Sequence, residues 1–277
     1  MAEICNVCHH HCHLSEGKAG ACRARGLRDG KNVSLSYGVI SSLALDPIEK
    51  KPLNRFHPGE YILSVGTYGC NLSCPFCQNH EIAQVSVPPS PSGYMTPDEL
   101  SSLALRAHED SGNLGIAFTY NEPLIGYEYV LETSRLNRLN GLYNVAVTNG
   151  SVSPEIFQLL LPCMDAMNID LKSFSEEGYR LLGGDLSTVC ANISSASRAG
   201  CHVELTTLVV PGISDDPEDM KKEAAWIASL DPGMPLHITR FFPRYRMDSG
   251  EPTPVDLLYL LADIAREHLK YVYVGNV

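Results

Sequence analysis

The sequence predicts an α/β fold, a parallel sheet curved into a partial TIM-like barrel behind an N-terminal cysteine-rich metal-binding extension. Three observations predict it. Short β-rich runs alternate with helical ones, which favours parallel strands joined by right-handed crossovers. Polar residues fall just beyond the ends of consecutive strands, where parallel α/β folds collect function. Four cysteines precede the first strand and three follow it.

Composition sets the frame. The 277 residues are 44% hydrophobic and 19% charged, which reads as globular and long enough for a sizeable core. With 21 basic against 32 acidic residues the formal charge is −11, a balance that disfavours nucleic acid as a partner. No apolar run reaches the roughly 18–20 residues that a membrane span needs. The start, Met-Ala-Glu-Ile-Cys, lacks the charged and apolar regions of a secretory signal, so a cytoplasmic setting is expected. There thiols stay reduced, and clustered cysteines more often bind metal than form disulfides.

The elements follow in order. Residues 1–30 form a cysteine-rich metal-binding segment and 31–59 a connecting segment packed on the barrel, which occupies 60–277. Strands are expected at 61–67, 115–119, 144–148, 166–171, 202–209, 236–241 and 271–274. Thr96-Pro97-Asp98-Glu99 is a capping box with proline at the first helical position. Ser153-Pro154, Asp216-Pro217 and Thr253-Pro254 repeat the cap-then-proline start. Apolar residues at helical spacing follow, as in Leu257, Leu260, Leu261 and Ile264.

The rim carries the chemistry. After the first strand comes Tyr68-Gly69-Cys70-Asn71-Leu72-Ser73-Cys74-Pro75-Phe76-Cys77-Gln78-Asn79. Structural zinc and closed iron–sulfur clusters take four protein ligands, whereas a four-iron cube on Cys70, Cys74 and Cys77 keeps one iron open for a substrate. A zinc knuckle completed by a distant residue such as His80 is the plainer alternative. Successive strands then end in Tyr120-Asn121-Glu122-Pro123, Thr148-Asn149-Gly150, Asp170-Leu171-Lys172 and Val209-Val210-Pro211-Gly212, while His237 and Arg240 lie on the next. Strand alternation places Asp170 and Lys172 on one side. As bare sequence these could equally be a helix start, two turns and an ion pair. Cys163, Cys190 and Cys201 stand alone in apolar surroundings and read as core.

The Tyr68–Asn79 stretch resembles the cluster loop of radical S-adenosylmethionine (SAM) enzymes, and the likeness spans about residues 60–277. It implies a (β/α)6 partial barrel and a [4Fe-4S] cluster that reductively cleaves SAM, giving a 5′-deoxyadenosyl radical that abstracts hydrogen. Asn121 and Glu122 stand where that superfamily holds the methionyl ammonium, although Tyr120 and Asn121 replace its two glycines. Thr148, Asn149, Asp170, Lys172 and the Val209 segment resemble the SAM-contacting motifs of glycyl-radical-enzyme activases. Phe76 is placed near the adenine edge, and His237 and Arg240 are candidates for the carboxylate of SAM or for substrate. The activases' histidine after the proline matching Pro243 has no counterpart, Arg244 and Tyr245 standing there instead.

Cys5, Cys8, Cys12 and Cys22 offer four thiolates for a second metal site, structural zinc or an auxiliary iron–sulfur cluster. With residues 46–53 and the cluster loop, they resemble the radical SAM proteins of the AmmeMemoRadiSam system, related to pyruvate formate-lyase activase. That resemblance implies MEMO-like and AMMECR-like partners, an electron donor such as ferredoxin or flavodoxin, and a cysteine-bearing tail beyond Val-Tyr-Val-Gly-Asn-Val. The substrate stays open between a glycyl-radical-type or partner protein, another peptide and a small molecule. The competing reading is a non-catalytic metal scaffold or electron carrier.

Overall fold

In the computed structural model, which describes residues 3–87 and 93–277, eight strands form one open sheet. They are β1 (Ser42–Pro47), β2 (Tyr61–Gly66), β3 (Gly115–Phe118), β4 (Tyr143–Thr148), β5 (Ala166–Asp170), β6 (His202–Val209), β7 (Leu236–Arg240) and β8 (Val272–Gly275). From β2 to β8 every neighbour is parallel and consecutive in sequence, for example Val145↔Ala166 and Leu205↔Leu236. β1 runs antiparallel on β2, so β1 and β8 are the two edges and the barrel stays unclosed. All seven expected strands form, within a residue or two of their bounds.

Helices cover the outer face in the crossovers: α1 (Pro97–Ser111), α2 (Tyr127–Leu139), α3 (Pro154–Leu160), α4 (Glu176–Leu181), α5 (Leu186–Arg198), α6 (Pro217–Leu230) and α7 (Val255–Arg266). The capping box at Thr96 and Glu99 forms in both directions, and Asp216 caps α6 through the amides of Glu218 and Asp219. The other two proline starts differ from expectation. Ser153 precedes α3, but its side chain makes no capping bond. Thr253 is not the cap of α7: Pro254 stands there, and the Thr253 hydroxyl donates to the carbonyl of Val209 at 2.6 Å. A buried carbonyl at the end of β6 claims that hydroxyl from the helix start.

Strand burial explains the topology. β3 is buried at every position, as a central parallel strand packed on both faces should be. β1 alternates half-buried and exposed along most of its length, as an edge does. The barrel floor is sealed by the chain after β1. Ile48 and Leu53 are fully buried and pack with Ile62, Ala117, Val145 and Ala166. The floor is pinned by Glu204 of β6, whose carboxylate accepts the amides of Asn54 (3.0 Å) and Arg55 (2.7 Å) and bonds to His202 (2.9 Å) and His237 (2.6 Å).

The N-terminal segment builds two small hairpins, Glu3–Ile4 with His13–Leu14 and Arg25–Arg28 with Lys31–Ser34. Its described residues form no separate core. Cys5, Val7, Leu14, Cys22, Ala24 and Leu27 join the main core instead. Its anchor is Arg25, which is 2% exposed and forks onto both Glu128 oxygens at 2.9 and 2.7 Å. Cys163, Cys190 and Cys201 are half-buried and pack against the same core.

Candidate active site

The strands end at a cavity of about 590 Å3 whose wall includes Cys70, Cys74, Phe76 and Cys77 from the loop after β2. Thr119 to Glu122 follow β3, Thr148 and Asn149 close β4, and Asp170 and Lys172 close β5 in the same wall. Lys50 after β1 and Asn276 after β8, from the two edges of the sheet, also line the cavity.

The cysteine loop is held by long-range backbone bonds. The amide of Cys70 donates to the carbonyl of Cys22 at 3.1 Å, Ser73 to Leu182 at 2.8 Å and Gly69 to Ile82 at 2.9 Å. Arg23 reaches the Cys70 carbonyl at 3.3 Å, and the His10 ring donates to that of Asn71 at 2.7 Å. Gly69 sits at φ +88°, and a Cβ there would lie 2.6 Å from both the Cys22 carbonyl and Ala24. Only glycine permits that contact, so the N-terminal segment and the cysteine loop are fitted to one another.

The three thiols sit in a buried environment that by itself disfavours the thiolate. Burial pushes all three up, Cys74 to about 11 and Cys70 well above its ordinary value. The Lys172 ammonium opposes that at Cys74 and Cys77, and coordination to a metal would favour the thiolate further. The Cys70 sulfur accepts from the Leu72 amide at 3.4 Å and from Asn149 Nδ2 at 3.6 Å. Among the described residues no three His, Cys, Asp or Glu side chains close on a single metal ion. Three thiols line one cavity, where Cys70 receives two N–H donors and Cys74 and Cys77 lie near the Lys172 ammonium, a donor set suited to thiolate ligation.

Glu122 is the hub of the rim. It is 2% exposed, and its carboxylate accepts from Thr148 Oγ1 (2.7 Å), the Leu124 amide (3.0 Å) and the Asn149 amide (2.7 Å). Burial pushes it up to about 7 against those three bonds. The helix-start reading of Glu122 is thus physically present, because its bond to Leu124 caps a short 3-10 turn. Asn121 accepts from the Thr67 amide at 3.0 Å and donates to the Gly69 carbonyl at 3.1 Å, stapling the β3 loop to the cysteine loop. Asn149 also donates to Asn71 Oδ1 at 2.9 Å. Asp170 and Lys172 pair at 2.8 Å within the cavity wall.

Three expected contacts fall elsewhere. His237 lies on the floor against Glu204 and stacks on Tyr273, 5.1 Å between ring centres. Its place near the N-terminal end of β7 takes it from the rim, which alternation along the strand could not reveal. Arg240 turns outward, donating to the Thr253 carbonyl at 2.8 Å with its guanidinium over Phe242. Val209 is fully buried in the core, and Leu208 lines the cavity instead. His80 does not complete the cysteine group; its Nδ1 lies on the Cys77 carbonyl and its ring stacks on Tyr245.

Cys5, Cys8, Cys12 and Cys22 stay close enough for each of the others to raise the Cys8 thiol, although burial is the main cause of its rise to about 12. The amide of Cys5 donates to the Cys12 carbonyl at 2.9 Å, and the Ala21 amide to the Cys12 sulfur at 3.3 Å. Arg25 and Glu204 carry no motif, Asp46 and Lys51 enter only through the 46–53 resemblance, and none of the four was legible as a structural residue. Beyond that, their only sequence signal is charge in apolar surroundings.

The sequence model of the Radical SAM superfamily matches residues 64–224. An uncharacterized protein of Methanocaldococcus jannaschii is 38% identical over 275 residues, covering 99% of this chain and 81% of that protein. The pyruvate formate-lyase-activating enzyme of Staphylococcus aureus is 27% identical over 184 residues, 63% of this chain and 71% of the enzyme. A domain of a Bacteroides vulgatus pyruvate-formate lyase-activating enzyme superposes with TM-score 0.50 at 19% identity, over 58% of this chain and 98% of that domain. Streptococcus suis SuiB, bound to its precursor peptide SuiA, gives TM-score 0.58 at 12% identity over 76% of this chain and 47% of that one. The two structural likenesses are of fold.

Proposed function

The chain belongs to the radical SAM superfamily, and from that premise we propose that Cys70, Cys74 and Cys77 hold a [4Fe-4S] cluster beside a SAM site in the rim cavity. When bound, the cluster supplies the electron that splits the sulfonium of SAM, and the resulting 5′-deoxyadenosyl radical takes a hydrogen atom from a substrate. The observation that carries this reading is the meeting, in one cavity, of three thiols with the rim motifs of three further strands.

The protein's own residues do the rest. Asn121 and Glu122 fix the turn after β3 against both the cysteine loop and the end of β4. Glu122 has given three acceptor sites to the protein, so it presents a single remaining one to a ligand ammonium. Asp170 and Lys172 offer a carboxylate and an ammonium to the ligand's ribose and carboxylate, and Phe76 offers an apolar face. Thr148 and Asn149 position Glu122 and the Cys70 sulfur.

The same reading takes in the finer expectations. The enzyme is an activase-like oxidoreductase working without oxygen in the cytoplasm, reduced by a ferredoxin- or flavodoxin-type donor. Its substrate is a glycyl-radical-type or partner protein, and MEMO-like and AMMECR-like proteins are its companions. Cys5, Cys8, Cys12 and Cys22 would hold a second metal, zinc or an auxiliary cluster, once drawn closer together, next to Cys22 and Arg23, which bond to the Cys70 loop. Anaerobic reconstitution tests the core of this. The wild-type protein should form 5′-deoxyadenosine from SAM and dithionite, and Cys70→Ala, Cys74→Ala and Cys77→Ala should each abolish it. Undiminished product from any of the three would refute the assignment.

A further inference from the structure

Tyr120 is in a conformation that its residue type resists. It stands directly before Asn121 and Glu122 with φ +72°, in the left-handed region that glycine enters freely and tyrosine does not. Such a residue persists only where its surroundings over-determine it, and here they do. Its carbonyl accepts from Asn79 Nδ2 at 2.7 Å, beyond the third cysteine. Its hydroxyl donates to Asp46 Oδ2 at 3.0 Å, at the end of edge strand β1. Asp46 also binds Lys51 at 2.9 Å and Lys50 at 3.3 Å, and the Lys51 ammonium stands 4.8 Å from the centre of the Tyr120 ring. Lys51 is 3% exposed, so this cation is committed to the tyrosine and the aspartate. Room for the ring comes from Gly66, where a Cβ would lie 3.0 Å from it.

The side chain therefore crosses from the rim to the start of the floor. At one end is the turn carrying Asn121 and Glu122. At the other is the segment whose Glu49, Lys50 and Pro52 line the cavity on the β1 side. We propose that Tyr120 is a positioning residue that clamps the Thr119–Glu122 turn to the Asp46–Lys51 pair and bounds the cavity on the β1 side. This rests on the SAM-binding role given above to that turn. A phenol held by a buried ion pair is a stiffer support than a glycine, and it joins the two ends of the cavity in one network.

Two variants test it. Tyr120→Phe keeps the ring and removes the bond to Asp46, while Tyr120→Gly removes the side chain and relieves the backbone. In cluster-free protein, hydrogen exchange of peptides spanning 117–124 and 46–55 should be roughly two- to ten-fold faster in Tyr120→Phe, the factor a single hydrogen bond contributes. Exchange over α7 should not change. In reconstituted protein the KM for SAM should rise by a similar factor, with kcat for 5′-deoxyadenosine formation nearly constant. Tyr120→Gly should be looser than either protein by both measures. Unchanged exchange and KM in Tyr120→Phe, or a glycine variant as tight as wild type, would overturn the proposal. A wild-type protein that forms no 5′-deoxyadenosine would instead sink the SAM assignment, and the exchange data would still judge the clamp.

Discussion

Two single residues give sharp expectations. Asn149 donates to the Cys70 sulfur at 3.6 Å and to Asn71 at 2.9 Å. An N–H on a cluster sulfur stabilises the more negative, reduced state. Asn149→Ala should therefore move the midpoint potential of the reconstituted cluster to more negative values, read by a redox titration followed by EPR. Glu223 on α6 is the second residue. It is 2% exposed, and among the described residues its one hydrogen bond comes from the Thr207 hydroxyl at 2.5 Å. Burial pushes it from an ordinary 4.5 up to about 8. The unfolded chain gives up this proton near 4.5 while the folded chain keeps it to about 8, so Glu223 costs stability as pH rises between those values. Glu223→Gln keeps an acceptor for Thr207 and removes the titration. The fall in urea midpoint from pH 5 to pH 8 should be smaller in the variant, and equal slopes would contradict this account.

At the scale of elements, two attachments hold the site in place. The floor depends on Glu204. Burial pushes its carboxyl up, but His202, His237 and the Arg55 amide outweigh that and hold it down at about 2. Its stabilising share is present above the ordinary 4.5 and is lost as pH falls toward 2, well apart from the window of Glu223. Glu204→Ala would strand two backbone amides and two histidine N–H groups, and a buried donor left without its acceptor costs about 1–3 kcal/mol. Urea denaturation should show that loss. The N-terminal segment depends on Arg25, whose removal leaves Glu128 and the Ile125 carbonyl without it. Arg25→Ala should expose residues 3–36 to limited proteolysis while α7 stays protected. Unaltered cleavage would show that the remaining contacts are enough to hold the segment.

Across the whole molecule, the local signals were readable and the long-range ones were not. Parallel strands announce themselves through apolar runs between capped helices, so all seven were legible, as was the gathering of rim motifs at one end. β1 was missed because its leucines, Leu43 and Leu45, lie on the exposed face while Asp46 is buried, so its pattern does not read as a core-facing strand, and its partner is defined by tertiary pairing. Thr253 misled for the reverse reason, its local capping pattern being overridden by the carbonyl of Val209. His237 showed that a strand gives the side a residue faces but not its height within the barrel. The Asp46–Lys51–Tyr120 network joins positions 74 residues apart or fewer, and no spacing rule predicts such a bond. No described helix is long and apolar enough to cross a membrane.

The central claim is that three cysteines alone hold the cluster, so that SAM can bind to it directly. The most direct measurement is the EPR spectrum of the reduced, reconstituted protein with and without SAM. A marked change in the signal on adding SAM, absent in a competing sample given only methionine-free 5′-deoxyadenosine, is the result predicted. A spectrum indifferent to SAM, or a protein that takes up zinc at Cys70, Cys74 and Cys77 and no iron, would contradict it.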